Sequence, residues 1–201
     1  LGDRMTVNWL WDPYFDVRAR RYRFRMLNAH VARYLRIALV IRRDHAEGDT
    51  PGEFPGEQPG ISYDRVPFHI VANDGNIMEY SVAFDGRKDL DSDDDLQEHN
   101  GILPTMAIAE RWDAVVDFSE NNSAGIEPGD KLYMVNLLEH KNGRRPHEAI
   151  PLEEVLSGDY AGEDGDDACD TVVGKFFELR VHGCTRPDGS PAPSCQVGDG
   201  A

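Results

Sequence analysis

The chain has 201 residues, with 37 Asp and Glu against 21 Lys and Arg, and a formal net charge of -16. Apolar residues make up 40%, enough for a core, while so negative a surface argues against nucleic-acid binding, because phosphates are bound by clustered Lys and Arg. No apolar run of about 18 residues occurs, so no membrane partner is expected. The chain opens at Leu1 without Met or a signal peptide, which suggests a piece of a longer protein.

Charge is unevenly distributed along the sequence. Arg18–Arg43 contains nine arginines and no acid, whereas Asp85–Glu98 contains seven acids against two basic residues. His147–Asp170 contains nine acids and neither Lys nor Arg. The two acidic stretches are poor in large apolar residues and predict long solvated loops, as does Ala46–Gly60 with its three prolines and four glycines.

The structured segments mostly alternate with a period of two, which is typical of half-buried strands. In the first, Tyr22, Phe24 and Met26 are expected to face inward, with Arg21, Arg23 and Arg25 outward. In the next, Leu35, Ile37, Leu39 and Ile41 are expected inward, with Tyr34, Arg36 and Ala38 outward. Further predicted strands are Met5–Trp9, Tyr14–Val17, Phe68–Ala72, Tyr80–Phe84, Thr105–Ala109, Ala114–Phe118, Leu132–Leu138 and Val172–His182.

Turn chemistry bounds these segments, and one helical turn is predicted at Leu152–Leu156. Many short strands with little helix indicate an all-β, antiparallel sandwich or barrel. We expect one domain at residues 1–183, followed by a Pro/Gly/Ser-rich tail or linker at residues 184–201.

The three cysteines, Cys169, Cys184 and Cys195, all lie near the end of the chain. Cys184 and Cys195 could pair across a short loop, which would leave Cys169 unpaired or bonded to another segment. Reduced surface thiols are an equal alternative, so the cysteines alone do not identify a compartment.

Four segments, in order, carry a family resemblance. They are Asp3–Val17 with its Trp-Asp-Pro-Tyr-Phe, Arg21–Leu35 with Arg-Met-Leu-Asn-Ala, Pro67–Gly75 with Asn-Asp-Gly, and Ala109–Ser119 with Glu-Arg-Trp-Asp-Ala-Val-Val-Asp-Phe-Ser. Together they resemble the second cupredoxin domain of three-domain multicopper oxidases of the laccase, bilirubin oxidase and manganese oxidase group. The closing segment Val173–Val181 is similar to the last strand of that domain.

The resemblance implies a cupredoxin-like Greek-key sandwich, here with long acidic loops, and flanking cupredoxin domains of the same chain as partners. It also implies a parent enzyme that contains copper and couples one-electron oxidation of Mn(II), a phenol or bilirubin to reduction of O2. An extracytoplasmic or secreted location is favoured on the same ground.

Copper ligands of that family come as His-x-His pairs and a His-Cys-His cluster, and this sequence contains neither. Its seven histidines are His30, His45, His69, His99, His140, His147 and His182. A blue copper site needs two imidazoles and a thiolate. We therefore expect no copper in this fragment and a non-catalytic, structural role for it within the parent enzyme.

Conspicuous polar residues within the resembling segments are interpreted as structural. Glu110, Arg111 and Asp113 could suggest catalysis, but a buried turn and salt-bridge set at a sandwich corner, with Arg111 held by a carboxylate, is favoured. Asn28 is expected to bind loop backbone groups, and Asp74-Gly75 to form a turn with positive φ at the glycine. The same structural set includes Arg33 and Asp117.

The acids Asp89, Asp91, Asp93 and Asp95 alternate, and hard cations take several oxygen ligands at once. An EF-hand is a poor match, because Asp94 stands where glycine is needed and Asn100 where Glu is needed. A solvated loop is favoured here and at Glu163–Asp170. The alternative function is a free-standing sandwich that binds Ca2+ or a protein partner through these loops.

Two further surface features bear on partners. The arginines of Arg18–Arg43 are expected to pair with the acidic loops or with a neighbouring domain rather than with an anionic polymer. Trp9, Trp11 and Trp112 are expected in the core or in interdomain packing. An isolated domain would expose that interdomain surface, and self-association through it is expected to be feasible.

Overall fold

The computed structural model describes residues 4–43, 62–119, 121–141, 145–157, 160 and 170–183. The Ala46–Gly60 loop, His45, Glu163, the cysteines Cys169, Cys184 and Cys195, and the tail at 184–201 lie outside the described residues. No helix in the described ranges is long and apolar enough to cross a membrane.

The described residues form thirteen strands and one short helix. In chain order the elements are β1 Thr6–Val7, β2 Leu10–Trp11, β3 Tyr14–Arg18, β4 Arg21–Leu27, β5 Ile37–Arg42, β6 Tyr63–Arg65, β7 Phe68–Asn73, β8 Asn76–Phe84, β9 Arg111–Asp117, β10 Lys131–Asn136, β11 Leu138–Lys141, β12 Arg145–Ala149, α1 Leu152–Ser157 and β13 Gly174–His182.

Two sheets make up the body of the sandwich. The first has the order β3-β13-β10-β5-β6 and the second β4-β9-β7-β8, with small hairpins β1-β2 and β11-β12 beside them. The paired strands are antiparallel except for β3 and β13, which run parallel. The chain thus begins and ends its sandwich on neighbouring strands of one sheet.

The alternation predicted for β4 is confirmed. Tyr22, Phe24 and Met26 pack on the main core, while the arginines between them are exposed. That core lies between the two sheets and is filled by residues such as Ile41, Ile70, Phe118, Leu132 and Leu179. Burial of these apolar side chains is the main favourable contribution to folding.

The outward placement predicted for Ala38 is wrong. Ala38 and Val40 are fully buried, because a second apolar cluster covers the other face of β5. Helix α1, which was expected as a helical turn at Leu152–Leu156, supplies Leu152 and Val155 to that cluster. A strand covered on both faces loses its period of two, so alternation could not identify which residues were exposed.

The strand bounds differ from expectation in several places. Thr105–Ala109 is not a strand: Met106 makes an isolated bridge to Leu35, and Ala109 has a positive φ of 64°. Met5–Trp9 is interrupted by a turn, with positive φ at Asn8 and Trp9, between β1 and β2. Strands β6 and β12 were not predicted, because both are short and rich in charged residues.

Candidate functional site

A cavity of about 520 Å3 opens at one end of the main core, between β8, β9 and the acidic loop that follows β8. This volume falls within the usual range of small-molecule sites. Its lining residues are Arg36, Met78, Val82, Phe84, Leu90, Asp91, Glu98, His99, Pro104, Thr105 and Trp112. The cavity therefore joins an apolar wall to a charged rim.

The apolar wall is fixed by packing within the core. The ring of Phe84 stacks on the ring of Phe68, with centroids 5.5 Å apart. It also makes an edge contact with the imidazole of His99, again with centroids 5.5 Å apart. Met78, Val82, Leu90 and Trp112 are partly buried against the same core. These contacts hold the wall in place without any ligand.

The acidic loop is shaped by its own aspartates. Asp89 accepts hydrogen bonds from the backbone N–H groups of Asp91, Ser92 and Asp94 at 3.2, 2.6 and 2.8 Å. The bond from the Asp94 backbone leads the effects that hold the pKa of Asp89 below its ordinary value. Asp side chains in turns commonly accept backbone hydrogen bonds of this kind.

The charged rim places two carboxylates beside one imidazole. The Nε2 atom of His99 lies 3.9 Å from Asp91 Oδ2 and 3.9 Å from Glu98 Oε2. Glu98 also accepts a 2.6 Å hydrogen bond from Arg36 Nη2, and this bond lowers the pKa of Glu98. Partial desolvation, and then the negative charges of Asp93 and Glu98, raise the pKa of Asp91.

Two residues of the cavity lining each have a buried polar atom without a hydrogen-bond partner among the described residues. These atoms are Nδ1 of His99 and the indole Nε1 of Trp112. Buried polar atoms in folded proteins are nearly always satisfied, so each such atom calls for an explanation.

The predicted cation group is only partly assembled. Carboxylate oxygens of Asp89, Asp91 and Asp93 lie within 4.8 Å of one another, and so do ligand atoms of Asp91, Glu98 and His99. Asp95 is in neither group; its carboxylate accepts a 2.8 Å bond from the backbone of Gln97. Sequence reasoning missed Glu98 and His99, because alternation singled out only the aspartates.

Asn28 is buried and binds three loop backbone groups. Its amide donates to the carbonyls of Arg33 at 2.8 Å and Met106 at 3.2 Å, and its oxygen accepts from His30 N at 3.2 Å. This amide ties the connection between β4 and β5 to the segment before β9.

Arg33 belongs to a buried polar network that the sequence did not reveal. Its Nη1 lies 2.6 Å from Asp170 Oδ2, which also accepts the backbone N–H of His140 at 2.8 Å. Desolvation, and then the charge of Arg33, lowers the pKa of the His140 imidazole. Burial, followed by hydrogen bonding to Glu139, raises the pKa of Tyr160 above its ordinary value.

The charged trio before and within β9 splits between two environments. Glu110 accepts bonds from the Ala107 backbone at 2.6 Å and from Asn73 at 3.2 Å. Asp113 is buried and contacts two arginines of β4. Arg111, expected to be buried, is instead exposed, because it lies on the outer face of the second sheet.

The turn between β7 and β8 holds the exposed Arg111. The Arg111 backbone N–H donates to Asp74 Oδ1 at 2.9 Å, and its guanidinium lies 3.7 Å from the same oxygen. Asp74 and Gly75 both have positive φ, 48° and 84°, as in a type I′ hairpin turn.

The arginines of Arg18–Arg43 were expected to pair with the acidic loops or with a neighbouring domain, and some of them pair instead with acids of a strand. Arg21 is bonded to Asp117 at 2.8 Å, and Arg23 is bonded to Asp113; both acids lie on the neighbouring strand β9. Arg33 and Arg36 do contact acids of the two acidic stretches, Asp170 and Glu98.

An exposed aromatic patch surrounds the edge strand β3. It consists of Trp9, Leu10, Trp11, Tyr14 and Phe15, of which Trp9 is 96% exposed. The guanidinium of Arg180 stacks over Tyr14 at 3.6 Å, and that of Arg4 over Trp11 at 4.2 Å. Trp9 and Trp11 therefore lie outside the core, unlike the half-buried Trp112.

The histidines of the described residues do not fit a copper site. Neither potential metal-ligand group in these ranges contains more than one histidine. His147 Nδ1 lies 3.0 Å from Glu139, and His182 Nε2 lies 2.9 Å from Asp16, so each faces a carboxylate rather than a second imidazole. A blue copper centre needs two imidazoles and a thiolate together.

Comparison with known proteins gives one consistent likeness. No protein-family model matches the chain. It is 26% identical over 126 residues to multicopper oxidase LPR1 homolog 1 of Oryza sativa subsp. japonica, covering 63% of this chain and 15% of that protein. It superposes on McoA multicopper oxidase of the hyperthermophile Aquifex aeolicus with a TM-score of 0.50 and 20% identity, covering 95% of this chain and 27% of that one.

A variant of McoA gives the same TM-score with 21% identity. These matches confirm the resemblance to multicopper oxidases and the cupredoxin-like, all-β fold predicted from the sequence. The chain spans about a quarter of the McoA chain and less of the rice protein, consistent with one domain of a multidomain oxidase.

Proposed function

We propose that this chain is the non-catalytic middle cupredoxin domain of a copper-dependent oxidoreductase, packed between flanking cupredoxin domains that hold the copper. The parent enzyme oxidises its substrate in one-electron steps and reduces O2. As the sequence resemblance implies, the substrate is of the Mn(II), phenol or bilirubin type.

The observation that carries this proposal is the exposed aromatic patch around β3. Large exposed apolar side chains that lie close together in the chain often mark a contact surface. Trp9, Trp11 and Phe15 stand beside an edge strand, where unprotected backbone groups also invite a partner. A neighbouring domain of the same chain would cover both features.

The arrangement of the described histidines agrees with a structural role for this domain. In the described residues, neither group of potential metal ligands contains two histidines, and His147 and His182 each contact a carboxylate. The role of this domain's own residues is therefore structural. The Asn28 amide and the Arg33–Asp170 pair fix the connections between strands.

The experiment is sedimentation velocity of the 201-residue chain, because a domain lacking its neighbours should associate through the patch. We expect Trp9→Ser with Trp11→Ser to abolish association, whereas Ile77→Ser with Tyr80→Ser, which removes exposed apolar side chains from β8, leaves it unchanged. Equal association of both variants would contradict the contact surface proposed here.

The alternative, a free-standing sandwich that binds Ca2+ or a partner through its acidic loops, is favoured by one observation. That observation is the approach of Asp89, Asp91 and Asp93 to within 4.8 Å of one another. Determining the coding sequence on both sides of this segment separates the two functions. Histidine-rich copper motifs on both sides support the oxidase domain, and start and stop codons at its ends support the alternative.

A further inference from the structure

The cavity at the end of the core has a rim with excess negative charge. Asp91 and Glu98 face it, and Arg36 is bonded to Glu98 at 2.6 Å. The carboxylate of Asp91 is about half exposed and lies beside that ion pair, with His99 Nε2 3.9 Å away. A positively charged group at this point would gain attraction from Asp91 without breaking the pair of Arg36 with Glu98.

The opposite wall of the cavity is apolar and partly aromatic. Met78, Val82, Phe84 and Trp112 line it, and all four are held by core contacts. An inorganic cation would bind at the rim and leave this wall in contact with water. A flat apolar body of a few carbon atoms would bury the wall, and burial of apolar area is favourable.

We propose that this cavity is a binding site for a small aromatic ammonium compound, whose ring lies on the Phe84 and Trp112 wall and whose charged end meets Asp91. The site is separate from the aromatic patch around β3 and does not depend on the domain's place in an oxidase.

The test is a titration of the 201-residue chain with phenethylamine, which carries an ammonium group and an aromatic ring. The chain has three tryptophans, so three indole N–H signals are expected in a nitrogen–proton NMR spectrum, and Trp112→Phe assigns one of them. We expect that signal alone to shift, with a Kd on the order of 1 mM or tighter, as for a compound of this size.

Ligand controls separate charge recognition from apolar binding. Phenethyl alcohol has the same ring without the charge, and phenylacetate carries a negative charge in place of the positive one. We expect the alcohol to bind about tenfold more weakly and the carboxylate not to bind. Equal shifts with the amine and the alcohol would overturn the role given to Asp91.

Protein variants distinguish a local effect of Asp91 at the rim from a general effect of the negative charge of the acidic loop. Asp91→Asn should weaken binding of the amine about tenfold. Asp94→Asn removes the same charge from an exposed position of the loop that does not line the cavity, at a residue whose φ of 71° asparagine tolerates. It should leave the affinity unchanged.

A titration with MnCl2 or CaCl2 supplies the opposing outcome. If either salt shifts the Trp112 and His99 signals while the amine shifts neither, the cavity rim is a cation site and the proposal is wrong. Persistent association in the patch variants of Trp9 and Trp11 would contradict the proposed function but would not affect this result, so the two proposals fail independently.

Discussion

The guanidinium of Arg33 lies 2.6 Å from the carboxylate of Asp170, although 137 positions separate the two residues in the sequence. Both side chains are less than a tenth exposed. Asp170 also accepts backbone hydrogen bonds from His140 and Val172. One carboxylate thus joins the connection before β5 to β11 and to the segment before β13.

Asp170→Asn should destabilise the fold by about 3 kcal/mol, because it leaves the buried charge of Arg33 without its counter-ion. Asp64→Asn, in the more exposed Arg43–Asp64 pair, should cost less than about 1 kcal/mol. Urea unfolding of both variants measures the difference. Equal losses would show that the Arg33 pair is solvated.

Gly101→Ala should destabilise the domain by about 2 to 3 kcal/mol. Gly101 has a φ of +67°, and a Cβ there would lie 2.8 Å from the backbone oxygen of Val66, so strain and overlap add. Gly75→Ala is the matched control, because its φ is +84° but nothing lies within 4 Å of the added carbon.

The control should cost about 1 kcal/mol, from strain alone. Thermal unfolding of the two variants beside the parent chain tests this ranking. If Gly75→Ala is the more damaging of the two, the close approach between Gly101 and Val66 is not a feature of the folded protein.

Val40→Ala should cost about 2 kcal/mol, because Val40 is fully buried in the second apolar cluster under α1. Val31→Ala, at a position 91% exposed, should change the stability by less than about 0.5 kcal/mol. Guanidinium unfolding gives both values. A negligible effect at Val40 would mean that this face of β5 is exposed to solvent, as alternation predicted.

The sequence predicted the alternating strand β4, the sandwich class and the turn at Asp74-Gly75, because each depends on residues close together in the chain. It did not predict the burial of Ala38, which depends on a helix more than a hundred positions later. For the same reason it found Asp91 but not its neighbours Glu98 and His99, which a bend of the loop brings to one rim.

Opposite pH effects are expected from two carboxylates of that rim. The pKa of Glu98 is lowered from an ordinary value of 4.5, so its contribution to stability is present above that pH and is lost as the pH falls through the lower folded-state value. Glu98→Gln should therefore reduce the stability at pH 7 and flatten its decline in acid.

The pKa of Asp91 is raised from 3.8, so the folded state holds its proton more tightly than the unfolded chain does. Stability then falls as the pH rises from 3.8 through the folded-state value, and the penalty is complete above it. Asp91→Asn should raise the stability at neutral pH. Urea unfolding between about pH 3 and pH 7 for both variants checks the two signs; changes of the same sign would contradict the assigned environments.

The central claim, that the domain supports a copper enzyme without holding copper itself, is tested most directly by metal analysis of the purified 201-residue chain loaded with copper and then desalted. Elemental analysis and the visible spectrum are recorded on the same sample. We predict less than stoichiometric copper and no blue absorption band. Stoichiometric copper with an intense blue band would contradict the account and require a site built from histidine and cysteine side chains of this chain.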